Sequence, residues 1–197
     1  MKPLIREINA IGKPSEVQVF IVLCIDAQKA LDEGTLVGNA YMMDNSFGST
    51  GQGTLQLCTP MKQGQVINIL IYSINQELNV DGSYPPMGLI DSITFVSPTK
   101  VKWEQDGDTK EAPTFDLRKV IDDFSRYGGA DRIRSPYDPI YYYWSGMVRH
   151  DITPGIYQYQ MVVALSKDGA FKKTYLNIDG PSLKIVKVGT PQTEAES

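Results

Sequence analysis

The amino-acid sequence predicts a mainly β fold: a two-sheet antiparallel β-sandwich, jelly-roll-like, carrying one short helix. Three observations predict it. At least eight short segments rich in Val, Ile, Tyr and Phe recur along the 197 residues, the composition that fits a pleated, half-buried surface. Gly, Pro, Asn and Asp separate these segments at regular intervals, as turn chemistry does in all-β domains. One stretch, residues 115–124, carries apolar side chains at helical spacing.

The first strand is residues 17–25, VQVFIVLCI, apolar at nearly every position and so predicted to be buried on both faces. Residues 29–37 have room for a helical turn before Gly38. Residues 40–43 form a short strand, and residues 44–53, DNSFGSTGQG, are a loop by their glycine and small polar content. An extended pattern resumes over 54–58, turns at 61–64, and continues as QVINILIYSI over 65–74. A polar loop at 75–86 leads to strands at 89–96 and 100–104, the latter ending at Asp106–Gly107, a hairpin turn pair.

Residues 115–124 read as the best helix, with Thr114 as cap and Leu117, Val120, Ile121 and Phe124 on one side. A loop follows over 126–139. Two aromatic strands come next, split by Thr153–Pro154–Gly155. The turn Lys167–Asp168–Gly169 makes a hairpin of 156–166 and 170–178, and 182–188 is the last strand. The domain organisation is an N-terminal segment 1–16, a single sandwich domain 17–188 and a polar, flexible tail 189–197.

Composition narrows the function. Net charge is −4, and the most cationic window, 118–134, interleaves Arg118, Lys119, Arg126, Arg132 and Arg134 with Asp122, Asp123 and Asp131. That is a mixed surface, so no nucleic-acid partner is expected. No apolar run reaches the ~20 residues that span a bilayer, and the start lacks a signal-peptide core, so a cytoplasmic protein with no membrane partner is expected. The two cysteines, Cys24 and Cys58, lie in apolar runs and read as buried free thiols.

Candidate chemistry concentrates in residues 139–161, PIYYYWSGMVRHDITPGIYQYQM, which hold the only histidine, His150. Any nucleophile–His arrangement must use it. Asp151 would point to the opposite face of a strand, so the two make no dyad there. Asp122–Asp123 and Asp106/Asp108 lack an apolar setting that would raise a carboxyl pKa. Cys24, Cys58 and His150 show no metal-ligand spacing. No catalytic residue, metal or cofactor is assigned.

The candidate interface or ligand residues are the aromatics Tyr141, Tyr143, Trp144, Tyr157 and Tyr159. Alternation sends one set inward and the other outward, where Tyr and Trp offer rigid amphipathic contact area. Loop residues Asp44, Asn45, Asn75 and Asn79 would supply hydrogen bonds to a sugar. Two readings follow: a non-enzymatic protein that forms homo-oligomers, and, as alternative, a lectin-like β-sandwich binding a carbohydrate or small ligand.

Four segments together resemble the AidA/PixA family of bacterial inclusion-body proteins: 21–28 (IVLCIDAQ), 40–57 (AYMMDNSFGSTGQGTLQL), 142–159 with Gly155-x-Tyr157-x-Tyr159, and 175–185 (YLNIDGPSLKI). The order and spacing of these segments carry the resemblance, which covers most of 17–188. It implies a cytoplasmic protein that accumulates in quantity and in inclusions, with no catalytic residues to carry over. Two departures stand out: the chain has only 7 Met, and its last segment reads Asp179–Gly180–Pro181, with a glycine inserted between the Asp and the Pro.

Overall fold

A computed structural model describes residues 18–74, 85–96, 102–105, 108–111, 120–127, 143–167 and 173–186. Eleven strands and one helix follow in chain order: β1 (Val19–Ile25), α1 (Ala27–Glu33), β2 (Ala40–Asp44), β3 (Cys58–Lys62), β4 (Val66–Ser73), β5 (Met87–Phe95), β6 (Lys102–Gln105), β7 (Asp108–Glu111), β8 (Ile121–Tyr127), β9 (Tyr143–Val148), β10 (Gly155–Ser166) and β11 (Lys173–Val186). They form a five-stranded sheet, β2-β1-β4-β9-β8, a four-stranded sheet, β3-β11-β10-β5, and a separate β6-β7 hairpin. The two larger sheets stack as a sandwich, as the sequence predicts.

The core lies between the two inner faces. Val19, Ile21, Leu23 and Ile25 of β1 and Ile67, Ile69 and Ile71 of β4 meet Tyr157, Tyr159, Met161, Val163 and Leu165 of β10. Strict alternation selects this set: each strand sends every second side chain inward. Trp144 points inward from β9 and donates its indole N–H to the Ile90 carbonyl of β5, 3.1 Å away, tying one sheet to the other.

Several expectations are corrected. The sheets are mixed, not purely antiparallel: β1 runs parallel to β4, and β3 parallel to β11. Strand direction between segments far apart in sequence has no local signature. β1 is fully buried on one face only; on the other, Phe20 is 41% exposed. The helix over 115–124 is not formed where it is described, because Ile121–Tyr127 is β8, paired antiparallel with β9. Residues 115–119 lie outside the described residues. Tertiary pairing overrides local periodicity there. The short helix is α1, capped by Asp26, whose carboxylate accepts from Lys29 N at 3.0 Å, and ended by Gly34 in the left-handed region. Residues 54–57 turn instead of extending, and β3 runs on to Lys62, which confines that turn to Gln63–Gly64.

The two C-terminal strands expected at 170–178 and 182–188 are one strand, β11. Its register against β10 slips between Gln158↔Ser182 and Gln160↔Asp179, so Gly180 and Pro181 together face Tyr159. The inserted glycine is thus absorbed as a β-bulge, with φ 129 at Gly180. Proline fits there because a bulge leaves a ladder position unpaired.

The bulge yields a test. Deleting Gly180 puts Ile178 and Leu183 an even number of residues apart, so both still face inward in a regular strand. Urea unfolding of this deletion should stay cooperative, with stability within about 2 kcal/mol of the parent. Deleting Gln158 from β10 enlarges the mismatch instead and should destabilise the protein more.

Candidate functional site

Two features depart from an ordinary sandwich, and they adjoin at the β1–β2 corner. The first is the outer face of the five-stranded sheet. Register places side chains there in rows across the strands: Met43–Val22–Leu70–Tyr143, then Tyr41–Cys24–Tyr72. The adjacent row joins Phe20, Asn68 and Ser145. No charged side chain of β1, β2, β4 or β9 lies on this face. Phe20, Tyr41 and Met43 are 41%, 42% and 42% exposed, while Val22, Leu70 and Tyr143 are half-buried. The buried Asn68 is satisfied within the row: it donates to Gln18 Oε1 at 2.9 Å and accepts from Ser145 Oγ at 2.8 Å.

The outer face of the four-stranded sheet is mixed: it carries charge, and with it the exposed Ile156, Tyr175 and Met87. Its rows read Asp179–Gln160–Thr94 and Asn177–Val162–Ser92, with Lys184 beside Ile156 and Lys173 beside Ser166.

The second feature is the loop of residues 45–57, held by one carboxylate. Asp44 points inward at the end of β2. Its Oδ1 accepts from Ser46 N at 2.9 Å, Ser49 Oγ at 2.6 Å and Gln52 Nε2 at 3.0 Å, and its Oδ2 accepts from the buried Thr59 Oγ1. The loop then covers one edge of each sheet, β2 and β3. On β2, Met42 O accepts from Gly53 N, while Asp44 N and O bond the Gln52 side chain. On β3, Cys58 exchanges both backbone bonds with Thr50, and Pro60 O accepts from Ser46 Oγ. Pro60 has no N–H, and Lys62 N and O are taken by Gln65.

The sequence candidates fall out as follows. Tyr143 faces outward and Trp144 inward, as alternation predicts. Tyr157 and Tyr159 are both core residues, 5% and 0% exposed, so neither presents a surface ring. Tyr157 donates to the Thr153 carbonyl at 2.5 Å. Asp44 is committed to the loop. Asn45 accepts from Phe20 N at 2.8 Å and donates to Gln18 O at 3.3 Å. Tyr141, Asn75 and Asn79 lie outside the described residues. His150 sits past the end of β9 against Gly64, where an added Cβ would come within 2.2 Å of its ring. Arg149, and not His150, pairs with Asp151, at 2.7 Å. Cys24 and Cys58 are free and half-buried.

Sequence reasoning missed Phe20, Tyr41, Met43, Gln52 and Thr59. Phe20 was hidden by treating 17–25 as doubly buried. A signal for the Asp44 anchor was present, because Asp44-Asn45-Ser46 after an apolar strand is an Asx-turn sequence. Among the described residues no group of three or more His, Cys, Asp or Glu gathers as a metal site, and no helix is long and apolar enough to cross a membrane.

Burial raises the phenol pKa of Tyr157, and raises that of Tyr159 far more. For Tyr159, burial is the main cause; the negative charges of Asp44 and then of Cys58 add to it. Its hydroxyl has no hydrogen-bond partner.

Comparison with known proteins bears on the fold. A family model described as a domain of unknown function (DUF8788) matches residues 17–102. No curated protein matches the chain. Among solved structures, the chain is similar to an inclusion body protein, PixA, from Burkholderia cenocepacia J2315, with a TM-score of 0.50 at 10% identity, covering 90% of this chain and 98% of that one. This likeness supports the sequence resemblance at the level of the fold.

Two tests follow. Because the folded-state pKa of Tyr159 lies above the unfolded value near ~10, its contribution is present below that pH and lost as pH rises above it, by up to about 1.4 kcal/mol per pH unit. Chemical denaturation across the alkaline range should show this decline. Tyr159→Phe should flatten it at little cost near neutrality, since the hydroxyl is unpartnered. In the loop, Gly51→Ala should destabilise more than Gly53→Ala. Both glycines have positive φ, but a Cβ at Gly51 meets the Gln56 carbonyl at 2.5 Å, whereas one at Gly53 meets open space. Thermal melts of the pair would decide this; equal losses would contradict the loop geometry.

Proposed function

We propose that this chain is a non-enzymatic, cytoplasmic protein that associates with copies of itself through the outer face of its five-stranded sheet and accumulates in inclusions. One observation carries the reading: the rows that β1, β2, β4 and β9 place on that face hold no charge on a chain of net charge −4, while the opposite outer face carries Lys173, Asp179 and Lys184. Contiguous apolar surface of this kind marks an interaction site. Phe20, Tyr41 and Met43 are already more than half buried, so covering each adds less than half of the about 1.5–3 kcal/mol that fully burying such a side chain contributes, and several together are needed to drive association.

The fold likeness to an inclusion body protein agrees with this reading. The carbohydrate alternative has less behind it. Asp44 and Asn45 direct their polar groups into the protein, and Tyr157 and Tyr159 offer no exposed ring for a sugar. For a catalytic role of His150, the neighbouring carboxylate of Asp151 is engaged by Arg149.

Light scattering after size exclusion tests the proposal. The mass should rise above that of one chain as concentration increases, and it should persist in high salt, because apolar burial is not screened as charge pairs are. A strict monomer at high concentration would overturn it.

A further inference from the structure

We infer that two copies of this chain meet face to face, five-stranded sheet on five-stranded sheet, and do not join by extending the β2 or β3 edge. This deepens the self-association reading and rests on it.

Three observations carry the inference. The first is which surface a second copy can approach. A symmetric contact sets one patch against itself, so a charge near the twofold axis faces its own copy and repels it. The rows that β1, β2, β4 and β9 place around Met43, Val22, Leu70 and Tyr143 hold no charge. The outer face of the other sheet carries Lys173, Asp179 and Lys184, with glutamines between them.

The second observation is closure of the neighbouring edges. An exposed strand edge is the usual route for β proteins to join, because its N–H and C=O groups seek partners. Beside this corner, Met42 O and both backbone groups of Asp44 are bonded by Gly53 and Gln52. The outward groups of Cys58, Pro60 and Lys62 on β3 are likewise taken or absent. A second copy finds no open ladder there and finds the apolar face beside it.

The third observation is size. Four strands, β2, β1, β4 and β9, at ~4.8 Å spacing and a seven-residue strand at ~3.4 Å per residue make a face roughly 19 Å by 24 Å. That is over half of the ~800 Å² per partner of a standard interface, the size of a weak, concentration-dependent contact. Sandwich sheets stack by their flat faces, so the same packing that builds the core is available outside it.

Three single substitutions separate the modes, with the oligomer dissociation constant measured by sedimentation and the fold checked by thermal melting. Met43→Lys places a charge on the proposed face and should weaken association on the order of 100-fold or more, since like charges juxtaposed at an interface cost several kcal/mol. Tyr41→Lys probes the same face a second time, should Met43→Lys fold poorly. Gln160→Lys puts the charge on the opposite outer face, and Gln52→Ala opens the β2 edge; both should leave the constant within a few-fold of the parent.

Loss of association in Gln160→Lys would show head-to-tail stacking, and loss or a marked gain in Gln52→Ala would show edge joining. Either outcome overturns the inference while leaving self-association intact. Undiminished association in both Lys variants of the proposed face overturns it as well. A parent protein that is monomeric throughout removes the self-association reading itself.

Discussion

The structure depends on one carboxylate. Asp44 closes β2, lies in the inner row with Ile21, Ile69 and Trp144, and takes donors from the loop that follows and from Thr59 on the facing sheet. A buried or half-buried anion is costly unless every lone pair is answered. Here the loop and the far sheet answer it together. The sheets are therefore joined at this end by the same group that fixes the loop, and the loop in turn closes both flanking edges. Tyr159, fully buried opposite the Gly180–Pro181 bulge, feels this charge directly. Its neutral phenol completes a corner in which sequence insertion, bulge and carboxylate belong to one arrangement. Gln56 extends it by bonding the Asp179 carbonyl at 3.3 Å.

Much of the fold was legible because alternation is a local signal. The apolar runs at 40–43, 65–74 and 89–96 each recur as a strand within a few residues of their predicted limits. The split of Tyr143 from Trp144 follows from the same period. What was illegible depends on partners distant in sequence. The parallel joins of β1 with β4 and β3 with β11 have no local mark. The helical spacing of Val120 and Ile121 was equally compatible with a strand once β9 supplied a ladder. For the site, aromatic content pointed to residues 139–161, yet Tyr157 and Tyr159 proved to be core. The exposed face came from β1 and β2, where an unbroken apolar run concealed which half of its side chains lay outside.

That concealment has a physical cause. A strand whose outer side chains are Phe20, Val22 and Cys24 reads like one buried on both sides, because burial by a partner and burial by the chain's own core demand the same residues. Sequence rules fail most informatively where a protein breaks the ordinary polar coating of its surface. The outer face of the four-stranded sheet carries Lys173, Asp179 and Lys184, whereas the rows of β1, β2, β4 and β9 on the five-stranded one hold no charge. Since both faces belong to one small domain, the contrast is not a matter of overall composition.

Sealed edges and an apolar face answer opposite halves of one problem. A β protein kept at high concentration must avoid open-ended ladders, because backbone bonding between edges is indifferent to side-chain identity and propagates without limit. Face-to-face contact differs in both respects: it is selected by the side chains in the rows, and a symmetric pair buries its own patch and stops. The loop anchored at Asp44 suppresses the first mode at β2 and β3, and the charge-free rows favour the second. The anchor is internal and the rows are external, so each can change without the other.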